Sequence, residues 1–163
     1  MKRILLLFIL LIFIIYLIVS LSFLDKHYYV CPVKYQSDFI IRSDSMGNGF
    51  FGTPRSGRRM HQGIDLLAEV GEPVLAVRSG LVIKAKKNRG MGNYVVLRHS
   101  PGLTTIYGHL LKICVRENQF VRQGDVIGLV GKTGNANYSN MQAHLHFEIR
   151  KNNIPQDPLQ YLN

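Results

Sequence analysis

Residues 73–110 read PVLAVRSGLVIKAKKNRGMGNYVVLRHSPGLTTIYGHL. Four short runs rich in Val, Ile, Leu and Tyr, at 73–77, 80–84, 93–98 and 103–107, are separated by Ser-Gly, Gly-Met-Gly and Pro-Gly. Each run is too short for a helix, and each break carries glycine, which adopts positive φ without a Cβ penalty. The same punctuation continues downstream, with runs at 126–130 and 145–149 and glycines at Gly124, Gly131 and Gly134. No stretch after residue 25 keeps an apolar period of 3.6 over three turns. The pattern predicts an all-β domain, an antiparallel sandwich or open barrel, over residues 38–163. A faint echo between 70–74 and 121–126, each a glycine turn leading into an apolar strand, suggests two related hairpins.

Working outward toward the amino end, the composition changes abruptly. The chain has 163 residues, 47% of them hydrophobic, and a formal net charge of +10. Residues 1–24 hold 20 of the hydrophobic residues, and from residue 4 to residue 24 there is no charged side chain. A helix of that length rises about 31 Å at ~1.5 Å per residue, the thickness of a bilayer core. Lys2 and Arg3 precede it, so the expected topology keeps the amino end inside and the β domain outside, facing the periplasm or cell wall. Cleavage as a signal peptide, which would leave a secreted domain, is the alternative. The apolar run is longer than a signal core and lacks a small-residue cleavage site. Tyr28-Tyr29-Val30 before Cys31 is not a lipidation signal. Residues 25–37 read as a polar tether, and a tether of that length would keep the domain close to its membrane.

Two cysteines, Cys31 and Cys114, exclude a disulfide-dense scaffold. Outside the membrane they could pair or remain free thiols. Beyond residue 24 the Lys and Arg residues outnumber the Asp and Glu by 18 to 10. Nucleic acid is an unsuitable partner for an exported domain. The anionic wall fits the basic charge better, although such charge also serves solubility alone.

All six histidines lie beyond the leader. His61-Gln62-Gly63-Ile64-Asp65 puts an imidazole and a carboxylate four positions apart, on one face of a strand. His144-Leu145-His146 puts two imidazoles on one face, with Leu145 and Phe147 turned to the core. His109 ends the apolar run of Tyr107-Gly108-His109-Leu110. Two such strands facing each other would gather nitrogen and oxygen donors suited to Zn²⁺ with an open position. His99 reads as a turn residue, His27 as part of the tether, and Glu148 as an acceptor that orients a ligand.

These residues resemble the lysostaphin/LytM-type zinc metallopeptidases, which cleave peptide cross-links of bacterial peptidoglycan. The resemblance runs from about residue 42 to residue 162. It rests on Phe51-Gly52 with Arg55, on His61 with Gly63-Ile64-Asp65-Leu66, on Tyr107-Gly108-His109-Leu110, on the glycine-rich stretch 121–134 and on His144-Leu145-His146-Phe147-Glu148. It implies one Zn²⁺ per domain held by His61, Asp65 and His146. It implies His109 and His144 as catalytic residues, His144 moving the water proton and His109 bonding the oxyanion, with the two roles exchangeable. The implied partners are peptidoglycan peptide stems and the membrane.

The sequence departs from the family in a long stretch 135–143 on the expected groove rim, with Ala143 where proline is usual. Residues 38–50 could cover the groove, with Asp44 as a fourth metal ligand in a latent state. Two other functions compete: a non-catalytic wall-binding scaffold of the same fold, and a lipoyl- or biotinyl-type carrier. The carrier reading lacks its characteristic lysine motif.

Overall fold

The structure is a computed structural model; it describes residues 2–21, 25, 28–34 and 39–162. The end of the apolar run at 22–24, His27, and residues 35–38, where tether and domain were expected to meet, lie outside the described residues. Helix α1 (Lys2–Leu21) occupies the apolar leader. Its described side chains, residues 6–17, are all apolar or aromatic and all exposed. Among the described residues, no helix is long and apolar enough to cross a membrane.

Four two-residue strands follow: β1 (Ser43–Asp44), β2 (Gly47–Asn48), β3 (Pro54–Arg55) and β4 (Arg59–Met60). The body of the domain comprises β5 (Ile64–Leu67), β6 (Pro73–Leu75), β7 (Gly80–Asn88), β8 (Gly92–Ser100), β9 (Leu103–Leu110), β10 (Lys112–Ile113), β11 (Phe120–Val121), β12 (Val126–Leu129), β13 (His144–Lys151) and β14 (Ile154–Gln156). Every paired strand is antiparallel. The main sheet runs β11-β7-β8-β9-β13-β14, and β10-β12-β6 form a second, smaller sheet. The domain is therefore mostly antiparallel β-sheet, and beyond residue 25 its described helical turns are short 3-10 segments.

Strand β13 organises the domain. One edge pairs with β9, and the other is shared, β5 taking 144–147 and β14 taking 149–151. Side chains alternate along a strand, so its two faces separate cleanly. Leu145, Phe147 and Ile149 are fully buried in the core with Ile64, Leu66, Leu97, Tyr107 and Ile127. His144, His146 and Glu148 project from the opposite face. Tyr107 and Phe147, directly paired across β9 and β13, pack with ring centroids 5.3 Å apart. The echo between 70–74 and 121–126 becomes a reciprocal pairing. Gly71 and Ala76 donate to the carbonyls of Val130 and Asp125, while Val130 and Gly124 donate to those of Glu72 and Ala76.

The stretch read as a tether lies against the domain where it is described. Val33 is buried in the core, and the Asp25 carboxylate accepts hydrogen bonds from Ser79 and Arg78. Tyr29 packs edge-on against Tyr161 and under the Arg78 guanidinium. Cys31 and Cys114 are both free. His99 lies within β8 rather than in a turn, because β8 continues to Ser100 opposite Leu103.

Candidate metal centre and cleft

His146 stands opposite Asp65 on β5 and opposite Gly108 on β9, at the middle of the polar face. His61 reaches it by another route. On a straight strand, residues four apart share a face but lie about 13 Å apart. Here His61 precedes β5 and is tied to the β3–β4 side by backbone bonds with Gly52 and Thr53. Gln62 and Gly63 lie outside any strand, and the chain bends at Gly63. The bend brings His61 Nε2 within 3.1 Å of Asp65 Oδ1. A Cβ on Gly63 would sit 2.2 Å from the Phe147 carbonyl oxygen, so glycine is what lets the bend press against β13. His61 and Asp65 do meet as expected, but a bend and not strand periodicity creates the contact.

His109 needs a second irregularity. Between the pairs Asn93–Leu110 and Val95–Tyr107, β9 carries one more residue than β8, a bulge at Gly108-His109. His109 has φ +62°, unusual for a residue with a side chain. The bulge shifts the alternation, so His109 faces the cleft while Leu110 returns to the core.

The geometry of the donors is consistent across all four histidines. One nitrogen of each is held by an acceptor: His61 Nδ1 by the Phe50 carbonyl at 2.9 Å, His109 Nδ1 by the Thr133 carbonyl at 2.9 Å, and His144 Nδ1 by the Gln142 carbonyl at 2.7 Å. His146 Nε2 meets Glu148 Oε1 at 3.0 Å. Each held nitrogen must carry the proton, so in the neutral rings the other nitrogen presents a lone pair. His61 Nε2, His146 Nδ1 and Asp65 Oδ1 converge at 2.9–3.1 Å from one another. Three acceptors facing one another require a cation between them. In the absence of metal a proton does this. Burial opposes charge on His146, but Asp65 and Glu148 outweigh it and raise its pKa to about 9. Nitrogen and carboxylate donors in this arrangement fit Zn²⁺. His61, Asp65 and His146 are the group of described residues whose ligand atoms lie close enough to hold an ion.

Asp65 is positioned from behind. Its Oδ2 accepts from Arg42 at 3.2 Å and Arg55 at 3.0 Å, leaving Oδ1 to the histidines. Burial works against its charge, yet the contacts with His146 and His61 hold its carboxyl well below the usual range. Glu148 is likewise buried and shared between His146 and Arg150, whose Nε lies at 2.7 Å. His109 and His144 flank the triangle, their ring centroids 5.0 Å apart. Burial pushes the pKa of His109 down to about 3, helped by the neighbouring His146 and His144, and burial also lowers that of His144. Both are proton acceptors at neutral pH.

These groups form the floor of a cleft of about 1130 Å³. Residues 39–50 flank it instead of closing it, since Ile40 and Gly49 bond to the backbone of β5 and Met46, Gly47 and Asn48 line a wall. Asn135, Tyr138 and Met141 place the long 135–143 stretch on the rim. Asp44 is not a ligand: its Oδ1 accepts from Arg42 and Met46, and its Oδ2 accepts from the Gln142 backbone at 2.9 Å. It joins residues 39–50 to the rim stretch. Sequence reasoning did not find Arg42 as a support for Asp65. No spacing rule links an arginine to an aspartate 23 positions away.

An antiparallel sheet whose polar face gathers a His/Asp triangle, with two further acceptor histidines in an open cleft, defines a class: β domains with a cleft centred on a potential metal site. Residues 59–158 match the model of peptidase family M23, and the chain belongs to that family. It is 40% identical over 108 residues to the lipoprotein NlpD/LppB homolog of Pseudomonas aeruginosa, covering 66% of this chain and 35% of that protein. It is 39% identical over 100 residues to the peptidoglycan DD-endopeptidase ShyC of Vibrio cholerae, covering 61% of this chain and 22% of that one. The chain thus spans about a fifth to a third of the curated relatives it matches. Among solved structures it is similar to a chain of the SpoIIQ–SpoIIIAH pore-forming complex, with TM-score 0.69, 27% identity, and 85% and 93% of the two chains covered. The catalytic domain of lysostaphin from Staphylococcus simulans superposes with TM-score 0.61 and 32% identity over 71% and 89%. The domain is homologous to the lysostaphin-type peptidoglycan endopeptidases.

Proposed function

We propose that the chain is a zinc-dependent endopeptidase that hydrolyses peptide cross-links of bacterial peptidoglycan and is held at the membrane by α1. The convergence of three acceptors, His61 Nε2, Asp65 Oδ1 and His146 Nδ1, carries the reading. These three residues would hold the ion. Bound zinc would supply a Lewis acid for the scissile carbonyl and a water whose pKa falls toward ~7.

The chain's own groups do the rest. His144 Nε2, its lone pair facing the cleft, takes the water proton and returns it to the leaving amine. His109 also begins as an acceptor, because its Nδ1 proton is committed to Thr133. It would donate to a developing oxyanion only by taking the water proton on Nε2 itself, the two histidines then exchanging roles. Arg42 and Arg55 fix the rotation of Asp65, and Glu148 fixes that of His146. The exposed apolar side chains of α1, following Lys2 and Arg3, support attachment to the membrane with the catalytic domain outside.

Digestion of purified walls of two chemistries by zinc-loaded full chain in detergent, with mass analysis of the products, tests this. Release of peptides that stops with a chelator and with His144→Ala is expected. No release from either wall would refute it.

The SpoIIQ–SpoIIIAH similarity, extending over most of both chains, favours a second reading, a partner-binding scaffold on the same fold. It predicts that His61→Ala and His144→Ala leave the cellular phenotype intact.

A further inference from the structure

The walls of the cleft are unlike its floor. Among the described residues lining it are four arginines, Arg42, Arg55, Arg59 and Arg89, and two carboxylates, Asp65 and Glu148. Both carboxylates belong to the floor and are engaged there, Asp65 by Arg42, Arg55 and the histidines, Glu148 by Arg150 and His146. Arg59 and Arg89 belong to the walls, and both are exposed.

They stand on different sides of β13. Arg59 lies on β4, two residues before His61, on the β5 side. Arg89 lies in the turn between β7 and β8. That turn is fastened to the β9 side, since Met91 accepts from the His109 backbone and Gly90 accepts from Asn135. β5 and β9 occupy opposite edges of β13, so the backbone places Arg59 and Arg89 on opposite sides of the cleft that holds the His61–Asp65–His146 triangle. A peptide running across the triangle from the β5 side to the β9 side would pass one arginine on each side of the bond being cut.

We infer that Arg59 and Arg89 are specificity-determining residues that select peptide cross-links bearing free carboxylates on both sides of the scissile bond, over neutral links such as amidated stems or oligoglycine. This rests on the endopeptidase reading and narrows its substrate class. A guanidinium forms paired hydrogen bonds with a carboxylate that a carboxamide cannot match in charge. Exposed ion pairs of this kind are worth up to about fivefold in binding each.

The test uses the zinc-loaded full chain in detergent and two synthetic cross-linked peptides, identical except that one carries free carboxylates and the other carboxamides. kcat/KM should favour the carboxylate form by about fivefold or more, expressed in KM, and the ratio should fall toward one in Arg59→Gln/Arg89→Gln and as salt rises. Equal kcat/KM for both peptides, or a double variant that slows both while keeping the ratio, would overturn the inference. Fluorescence anisotropy with the same peptides separates it from the reading beneath it. Preferential binding of the carboxylate form without cleavage would sustain the selection and refute the endopeptidase. Equal binding, or none, would refute the selection whatever the cleavage result.

Discussion

His99 and the four cleft histidines belong to the same domain, and none is exposed, yet they differ in how their nitrogens are used. His99 has Nδ1 against the Ser79 carbonyl at 2.9 Å and Nε2 against Thr105 Oγ1 at 2.8 Å. Thr105 continues to the Tyr107 hydroxyl, which accepts from the Val77 backbone. Every polar atom of that chain is satisfied within the protein, and nothing is left to offer a ligand. His61, His109, His144 and His146 each have one nitrogen held by an acceptor and turn the other toward the cleft. Shelter from solvent is common to both regions. A free lone pair, aimed by the bond on the far side of the ring, distinguishes the site from the scaffold.

The contrast should be sharpest at His144. His144→Ala is expected to lower kcat by about 10²–10⁴-fold while leaving bound zinc in place, measured by steady-state kinetics alongside metal analysis. Burial lowers the pKa of both His144 and His109 below the ordinary imidazole value, so both are neutral at pH 7. Activity should therefore be lost on the acid side only below about pH 6.5; an acid limb above that value would contradict the assignment. Next in size is Glu148→Gln, which weakens the acceptor that sets the tautomer of His146. Zinc affinity should fall about 10–100-fold in a competition titration with a chromophoric chelator.

Gly63→Ala acts on geometry alone. The added Cβ would meet the Phe147 carbonyl and the Glu148 side chain, costing about 1–3 kcal/mol in denaturant unfolding and moving His61 off the triangle. The smallest expected effect lies in the other region. His99→Gln should cost about 1 kcal/mol of stability, through an imperfectly replaced hydrogen bond, and leave zinc affinity unchanged. A loss of metal in that variant would erase the distinction between the two groups of histidines.

Much of this was legible in the chain. The runs at 93–98 and 145–149 sit inside β8 and β13, because β-branched alternation and glycine breaks report strands directly. The run at 80–84 was too short. β7 continues to Asn88 through Lys84, Lys86 and Lys87, whose polar side chains carry no apolar pattern, and the pairing with β8 extends it. His144 and His146 share a face as their spacing of two requires. His61 and Asp65 meet only because of a bend that spacing does not encode, and His109 faces the cleft only through a bulge. The backbone carbonyls of Phe50, Gln142 and Thr133, which fix three tautomers, have no signature in residue type. What the sequence supplied was donor identity. Aim came from backbone irregularities and main-chain acceptors.

Calorimetric titration of Zn²⁺ into the metal-free full chain in detergent, compared with His61→Ala and His99→Gln, bears most directly on the free-lone-pair distinction. One ion per chain is predicted for the wild type and for His99→Gln, with tight binding lost in His61→Ala. Undiminished binding in His61→Ala, or no binding by the wild type, would contradict it.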